Sequence, residues 1–176
     1  AGETIAVTND GTNLDVDIAG TPFSNVAEAS LVTRVDVAAG GGNDTINCNT
    51  LAIPCLLDGG AGNDTLNGSS ANDTLIGGDG DDAIDGNGGT DTVSYSTSSA
   101  VITCSLAAGT ATGAGSDTIT DCENITGGSG NDVLTGDGGA NVILGGDGND
   151  TIDGGAGNDT ISGEAGDDTP VSYTHL

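Results

Sequence analysis

The sequence predicts an all-β fold, a parallel β-helix solenoid of 18-residue turns with an N-terminal β-strand cap, from three observations. A nine-residue unit recurs along most of the chain, with glycine at places one, two and four, aspartate at place six and an apolar residue at place eight. Its clearest copies lie end to end in GGDGNDTIDGGAGNDTIS, residues 145–162. Aromatic residues are 2% of the chain, too few for a conventional packed core. Six turn residues followed by three extended ones make half a turn of a flattened coil, so two units complete one turn.

The charge of the chain is strongly one-sided. There are 27 acidic residues against one Lys or Arg, and the formal net charge is −26 at pH 7. Such an excess normally indicates disorder, but the apolar residues are periodic, so a multivalent cation that neutralises the carboxylates is the simpler explanation. We expect no nucleic-acid partner and no anionic membrane partner, because no basic patch exists. Membrane insertion is not expected either, since no apolar run approaches the roughly 20 residues of a span.

Residues 1–38 lack the glycine frame and alternate apolar with polar residues, which is the period of a β-strand. The alternating apolar residues are Ile5, Val7, Leu14, Val16, Ile18, Val35 and Val37. Turn signals lie at 9–11 and 20–22. We expect an N-terminal β cap or irregular first rungs over one end of the stack; a separate binding module is the alternative.

The first repeat block is predicted over residues 39–94. It begins with AGGGNDTIN, and after an irregular connection four units in unbroken phase start at Gly59, Gly68, Gly77 and Gly86. Residues 95–126 form an irregular β insert, in which TGAGSDTIT at 112–120 is a recognisable unit. Its apolar period stays at two, so we expect the stack to continue there with looser loops.

The second repeat block is predicted over residues 127–168. Units start at Gly127, Gly136, Gly145 and Gly154, and a damaged one starts at Gly163, with Pro170 at its apolar place. Residues 169–176 share nothing with the rest and form a non-native-looking tail, which we exclude from the fold. We expect the chain to be a piece of a longer protein whose true C-terminus is missing.

The repeat geometry predicts calcium binding. Stacked turns place the place-eight residues in inward aliphatic ladders and the place-six aspartates in two rows, with neighbouring strands about 4.8 Å apart. Carboxylates this close repel unless a hard cation lies between them, and glycine-rich loops turn carbonyl oxygens toward the same point. Six or more oxygens in a roomy site suit Ca²⁺ better than Mg²⁺, and the absence of Cys and His from the units disfavours Zn²⁺. The alternative is that the Asn-Asp and Gly-Asp pairs are ordinary turn formers facing water.

The units match GGxGxDxUx, and the chain therefore resembles the RTX (repeats-in-toxin) hemolysin-type calcium-binding proteins over roughly residues 39–168. The resemblance implies a right-handed parallel β-roll with each ion between loops one full turn apart. The earlier loop would give the carbonyls of places two and four and its aspartate. The later loop would give the carbonyls of places one and three and its aspartate.

Carried over to this chain, the resemblance implies two sites in the first block and three in the second. The first block gives Gly60, Gly62 and Asp64 with Gly77, Asp79 and Asp82, and Ser69, Ala71 and Asp73 with Gly86, Gly88 and Asp91. The second block gives Gly128, Gly130 and Asp132 with Gly145, Asp147 and Asp150; Gly146, Gly148 and Asp150 with Gly163, Ala165 and Asp168; and Asp137, Gly139 and Asn141 with Gly154, Ala156 and Asp159. Asp150 would bridge two ions, and the Asn141 site is expected to be weak. A pairing of Asp44 with Asp64 is doubtful, because their units start 20 residues apart. The expected load is about five to six Ca²⁺.

The resemblance also implies a setting. Such modules accompany type I secretion, stay unfolded inside the cell and fold outside, so we expect a structural and folding module of a secreted, extracellular bacterial protein. The alternatives are a non-catalytic accessory domain of a secreted protease, lipase or epimerase, and an adhesin segment. We expect no enzyme activity, because the only histidine is His175 and no aromatic platform accompanies the carboxylates.

Four cysteines lie in the irregular segments: Cys48, Cys55, Cys104 and Cys122. Disulfides between 48 and 55 and between 104 and 122 are possible in an oxidising compartment, but four cysteines allow three connectivities. Buried free thiols are the other possibility.

Overall fold

The computed structural model describes the backbone of residues 4–9, 13–18, 21–28 and 32–172 and the side chains of residues 32–169. All regular structure in these ranges is β, arranged as a parallel solenoid of about seven turns, which confirms the predicted fold class. With no helix in the described segments, there is none that is long and apolar enough to cross a membrane. Parts of the two N-terminal turn signals, at 10–12 and 19–20, and tail residues 173–176 lie outside the described residues.

Two sheets form the flat sides of the solenoid. The larger sheet contains β1 (Thr4–Asn9), β2 (Asn13–Ile18), β3 (Thr21–Glu28), β5 (Thr45–Asn47), β7 (Thr65–Asn67), β9 (Ala83–Asp85), β11 (Thr103–Ser105), β12 (Thr110–Thr112), β13 (Ser116–Thr120), β15 (Val133–Thr135), β17 (Thr151–Asp153) and β19 (Thr169–Ser172). The smaller sheet contains β4 (Val35–Ala38), β6 (Cys55–Ala61), β8 (Thr74–Asp79), β10 (Thr92–Ser94), β14 (Asn124–Thr126), β16 (Val142–Asp147) and β18 (Thr160–Ala165). Successive repeat units supply strands to the two sheets in turn.

The core is a pair of narrow aliphatic ladders. Leu66 of β7 lies opposite Ile84 of β9, and Leu57 of β6 lies opposite Leu75 of β8, each pair being 18 residues apart. These four side chains are at most 2% exposed. Full burial of one such side chain stabilises the fold by about 1.5–3 kcal/mol. A single residue per strand therefore carries most of the apolar burial, and the loops must be stabilised by other means.

The first turn is two residues longer than the regular 18-residue turns. Thr45 pairs with Thr65 and Val35 with Cys55, both at a spacing of 20. The extra residues lie in the irregular connection 48–54, where the Leu51 N–H donates to the Cys48 carbonyl at 2.9 Å. The side chain of Leu51 is buried in the core. The connection thus absorbs the longer spacing without displacing the strands on either side.

The N-terminal strands extend the larger sheet. β1, β2 and β3 form an antiparallel meander, and β1 lies parallel on β5. β4 instead begins the smaller sheet, where it pairs with β6. The predicted strands around Ile5, Leu14 and Val35 are therefore present, but those of the N-terminal meander add to one sheet only.

The insert contains a reversal of strand order. β11 pairs antiparallel with β12, and β12 pairs antiparallel with β13. β13 lies parallel on β9, which precedes the insert, whereas β11 lies parallel on β15, which comes after it. The chain therefore advances past two strand positions in the larger sheet and then returns to fill them.

The last strand includes residues that the sequence assigns to the tail. β19 pairs in parallel with β17, opposite Ile152, through a register shift at Ile152/Asp153. Pro170 lies in this terminal strand of the sheet, a position where a missing backbone donor is tolerated. The stack thus continues to Ser172, further than the sequence indicates.

All four cysteines are free and buried in the structure. Hydrogen bonding with Cys48 and burial raise the pKa of the Cys55 thiol. Burial raises the pKa of Cys104 and of Cys122 to about 12. The described structure thus holds Cys55, Cys104 and Cys122 as protonated thiols of the core.

Candidate metal centres

Acidic side chains form one row along each edge of the solenoid, where the chain passes from one sheet to the other. One edge carries Asp44, Asp64, Asp82, Asp117, Asp132, Asp150 and Asp168, and the other carries Asp73, Asp91, Glu123, Asn141 and Asp159. One contact recurs in most of each row: a side-chain oxygen accepts the backbone N–H of the row residue one turn earlier. After the insert the contact differs, since Asp132 Oδ1 accepts from Ile102 and Asn141 Oδ1 from Asp137. Asp82 Oδ1 accepts from Asp64 at 2.8 Å, and Asp91 Oδ1 accepts from Asp73 at 2.7 Å. These bonds fix the height of each carboxylate in the stack.

The second carboxylate oxygen is often left without a partner. Within residues 32–169, the Oδ2 atoms of Asp64, Asp82, Asp91 and Asp150 are buried and have no hydrogen-bond donor. A buried anionic oxygen without a donor or counter-ion costs several kcal/mol of folding free energy, as an order of magnitude. The fold therefore contains negative oxygens that a cation would compensate.

Place-one glycines open a space beside these oxygens. A Cβ built on Gly68 would lie 2.6 Å from Asp73 Oδ2 and 2.6 Å from the Gly86 carbonyl oxygen of the next turn. At Gly59 the same point is crowded by Asp64 Oδ2 and the Gly77 carbonyl oxygen. Oxygens from two consecutive turns thus converge on a volume that any other residue would fill. Carboxylate and carbonyl oxygens are the ligands that Ca²⁺ prefers, so the residues present fit this ion.

The repeat loops adopt two arrangements. In loops 68–73 and 127–132 the place-two N–H donates to the loop's own aspartate, as Ser69 does to Asp73 and Gly128 to Asp132. Each of these loops comes after an irregular segment on its edge. Loops preceded by another repeat loop instead have positive φ at places two and four, for example Gly146 at 101° and Gly148 at 117°. The four partnerless oxygens all belong to loops of this second kind. A carboxylate oxygen thus lacks a donor where one repeat loop stacks on another.

Burial raises the pKa values of several carboxyl groups in the rows. Burial, and then neighbouring carboxylates such as Asp117 and Asp64, raise the pKa of Asp82 to about 6. Burial, with Asp73 and Glu123 adding to it, raises the pKa of Asp91 to about 7. The pKa values of Asp64 and Asp150 are raised for the same reasons. A divalent cation opposes both causes, since it replaces lost hydration and offsets the repulsion.

The structure places the predicted aspartate pairs one turn apart. Backbone-to-carboxylate bonds join Asp64 to Asp82 and Asp73 to Asp91. Asp150 Oδ1 accepts the Asp132 N–H at 2.7 Å, while the Asp150 N–H donates to Asp168 at 3.0 Å. Asp150 therefore lies between two successive loops, as a shared ligand must.

The doubtful Asp44 also lies in its row. Asp64 Oδ1 accepts the Asp44 N–H at 2.7 Å, and Gly41 forms an isolated bridge with Ala61. The spacing of 20 residues is no obstacle, because the irregular connection 48–54 takes up the difference.

Several carbonyls that were predicted as ligands join consecutive turns by hydrogen bonds. The Gly128 carbonyl accepts the Asp147 N–H at 3.0 Å, and the Ala165 carbonyl accepts the Gly148 N–H at 2.8 Å. A carbonyl oxygen has a second lone pair, so these bonds leave each oxygen able to contact a cation.

Asn141 is satisfied without a cation. Its Nδ2 donates to the Glu123 carbonyl at 2.7 Å and to Asp137 Oδ1 at 3.0 Å, while Asn141 Oδ1 accepts the Asp137 N–H at 3.0 Å. Asn141 Nδ2 donates to the Glu123 carbonyl oxygen, and that oxygen would repel an aspartate carboxylate in the same position. The substitution for aspartate thus fits its neighbours and removes one charge from the row.

Sequence reasoning did not assign two residues of the rows, Asp117 and Glu123, or the tyrosine that donates to one of them. Asp117 receives the Asp82 N–H over a separation of 35 residues, and Glu123 receives the Asp91 N–H over 32. The Tyr95 hydroxyl donates to Asp117 Oδ2 at 2.9 Å. The TGAGSDTIT unit was the available signal for Asp117, but nothing in the nine-residue frame indicates Glu123 or Tyr95.

Side chains alone do not form a metal cluster in the described part of the chain: no three His, Cys, Asp or Glu residues converge there. Any cation held between the loops would therefore need backbone carbonyl oxygens. The family model described as the RTX calcium-binding nonapeptide repeat (4 copies) matches residues 58–93, 123–152 and 135–170. No curated protein matches the chain.

Proposed function

The chain carries RTX calcium-binding nonapeptide repeats in a parallel β-solenoid, and we propose that it is a module that folds when Ca²⁺ binds between its turns. The observation that supports this most is the set of buried aspartate oxygens without donors, at Asp64, Asp82, Asp91 and Asp150. Each belongs to a loop that stacks on another repeat loop, which is where an ion would lie.

The chain's own residues perform three tasks in this proposal. The aspartates bring one oxygen to each gap between turns, while their other oxygen holds the backbone of the turn before. The place-one glycines keep the gap open, and the loop carbonyls complete an oxygen shell. Bound Ca²⁺ supplies the positive charge that this shell lacks.

Folding and binding are coupled because the gap exists only when two turns are stacked. The unfolded chain spreads its −26 charge over a long coil, whereas the folded chain concentrates carboxylates in two buried rows. Ligand that binds only the folded state stabilises it by mass action. Calcium at about millimolar concentration, the range used by extracellular modules, would therefore shift the chain from unfolded to folded.

This behaviour fits a structural module of a secreted bacterial protein, which we propose as its setting. A chain that stays unfolded at the low free calcium of a cytoplasm could be exported by a type I secretion apparatus and fold outside. The strong negative charge and the repeat family support this assignment.

Circular dichroism with chelator and with calcium tests the proposal. We expect a disordered spectrum in chelator, a β spectrum with excess Ca²⁺, and a load of about five to six ions by isothermal titration calorimetry. Magnesium at the same concentration should not restore the β spectrum, because Mg²⁺ keeps its waters and demands a tighter shell. A β spectrum in chelator, unchanged by calcium, would refute coupled folding.

A further inference from the structure

One edge of the solenoid keeps its row of carboxylates across the insert. After Asp73 and Asp91 the next acidic side chain in that row is Glu123, which lies outside the nine-residue frame. Glu123 Oε2 accepts the Asp91 N–H at 2.8 Å, the same contact that Asp91 makes with the Asp73 N–H at 2.7 Å. Glu123 therefore holds the position of a place-six aspartate.

The oxygens around Gly86 repeat the arrangement at Gly68. A Cβ built on Gly86 would contact the Asp121 carbonyl oxygen and would lie 2.8 Å from Asp91 Oδ2. Asp91 is fully buried, and its Oδ2 has no hydrogen-bond donor among the described residues. A carbonyl oxygen and a partnerless carboxylate oxygen thus face one small volume, although the return segment is not a repeat loop.

The return segment replaces a repeat loop with a shorter stretch of chain. The return segment has three residues, 121–123, where a repeat loop has six. Asp121 has a φ of 49°, and its carbonyl takes the place of a place-one glycine carbonyl. Thr92 pairs with Asn124, so residue 123 lies opposite Asp91 in register, and its side chain reaches the Asp91 N–H from the position of a place-six aspartate.

The insert meets the other edge of the solenoid with different contacts. There the second oxygen of Asp117 accepts the Tyr95 hydroxyl, and the three atoms nearest to a Cβ built on Gly77 all belong to Asp82. No carbonyl of the next segment is among these nearest atoms, in contrast to Gly86. A hydroxyl group therefore satisfies the insert carboxylate Asp117 on that edge, although Asp82 Oδ2, like Asp91 Oδ2, has no donor among the described residues.

We propose that Asp91, the Asp121 carbonyl and Glu123 form a further calcium site, which joins the first repeat block to the return segment. The carbonyls of Asn87 and Gly89, at places two and four of loop 86–91, complete its oxygen shell. This inference rests on the proposed function, since it takes the repeat loops to bind calcium. It assigns metal binding to residues 121–123 on grounds of geometry and not of repeat sequence.

Native mass spectrometry of the whole chain in calcium tests the site. Glu123→Gln should bind one ion fewer than the parent chain. Asp121→Asn removes the same charge from the same segment but keeps the carbonyl, and asparagine tolerates the positive φ, so its ion count should not change. An unchanged count in Glu123→Gln would overturn the site, as would equal losses in the two variants.

A calcium anomalous difference map from crystals of the parent chain gives a test that does not depend on how the variant folds. We expect a peak bounded by Asp91, the Asp121 carbonyl and Glu123. Peaks between the repeat loops with none here would refute this site alone. A parent chain that binds no calcium would refute the proposed function as well.

Discussion

Each aspartate in a row lies next to one or two gaps, depending on its place in the stack. Asp132 belongs to the first loop of its block on its edge, whereas Asp150 has a repeat loop on both sides. Both side chains are 1% exposed, so their burial is matched. They differ in the number of ions that they would contact.

We therefore expect Asp150→Ala to bind two ions fewer than the parent chain and Asp132→Ala one fewer, measured by native mass spectrometry. The physical reason is that removing a shared carboxylate leaves two shells short of charge. Equal losses in the two variants would show that Asp150 is not shared.

The raised pKa values of Asp82 and Asp91 predict how the calcium-free fold responds to acid. Their pKa values are about 6 and about 7 when folded, above the ordinary value of 3.8. Between about pH 4 and pH 7 the folded state therefore binds more protons than the unfolded state, and its stability falls as the pH rises through this window. In chelator, β-sheet circular dichroism should increase as the pH is lowered from 8 to 5.

Asp91→Asn should increase the β-sheet circular dichroism in chelator at pH 8 and flatten its dependence on pH. Asp167→Asn serves as the control, because the side chain of Asp167 is exposed. A β-sheet signal in chelator that rises with pH between 5 and 8 in the parent chain would contradict this account.

Row residues that keep the nine-residue frame are predictable from the sequence. The pairs of Asp64 with Asp82 and of Asp132 with Asp150 result from a spacing of 18. Asp117 has only the isolated TGAGSDTIT unit as a signal and Glu123 has none, since their partners lie 35 and 32 residues away and the frame is broken between them. Tyr95 gives no signal either, because a lone aromatic residue in a sequence does not reveal which oxygen its hydroxyl reaches.

The loop is the element that forms the gap, and glycine at place one keeps it open. Gly68 and Gly138 provide a matched pair, since neither has positive φ. A Cβ on Gly68 would lie 2.6 Å from two oxygens, whereas a Cβ on Gly138 would meet nothing within 4 Å.

Gly68→Ala should lose one ion and destabilise the calcium-loaded chain by about 1–3 kcal/mol, because the new methyl group displaces packed oxygens. Gly138→Ala should change stability by no more than about 0.5–1 kcal/mol and keep every ion. Urea unfolding in saturating calcium measures both variants. Similar destabilisation of the two would mean that glycine at place one has no special role.

Strand positions are predictable where the repeat is regular and less so elsewhere. Strands β7, β8, β9 and β10 begin at a fixed place of their units. The antiparallel meander of β11, β12 and β13 is not predictable, because an apolar period of two indicates a strand but not its direction. At β19 the sequence indicates too little structure. The damaged unit still supplies a strand, because a terminal position in a sheet tolerates proline.

At the scale of the whole molecule, the charge must be neutralised locally and not merely screened. Opposed carboxylates of one row are buried, and mobile salt screens buried charges much less than exposed ones. Mobile monovalent ions cannot enter the gaps in the numbers required.

We therefore expect 1 M sodium chloride with chelator to leave the chain unfolded by circular dichroism, while calcium at about millimolar concentration folds it at low ionic strength. Folding in salt alone would show that general repulsion, and not the partnerless oxygens, opposes the apo fold.

The reversal in the insert has a consequence for folding kinetics. A regular solenoid can propagate from rung to rung, since each strand docks on the one just formed. Here the strand that docks on β9 is β13, and the intervening chain must close a loop of about 30 residues, at an entropic cost, before propagation resumes. Meanwhile β15 and the strands after it can nucleate separately. After a calcium jump, refolding should therefore start from two nuclei, and the meander that joins them should form last.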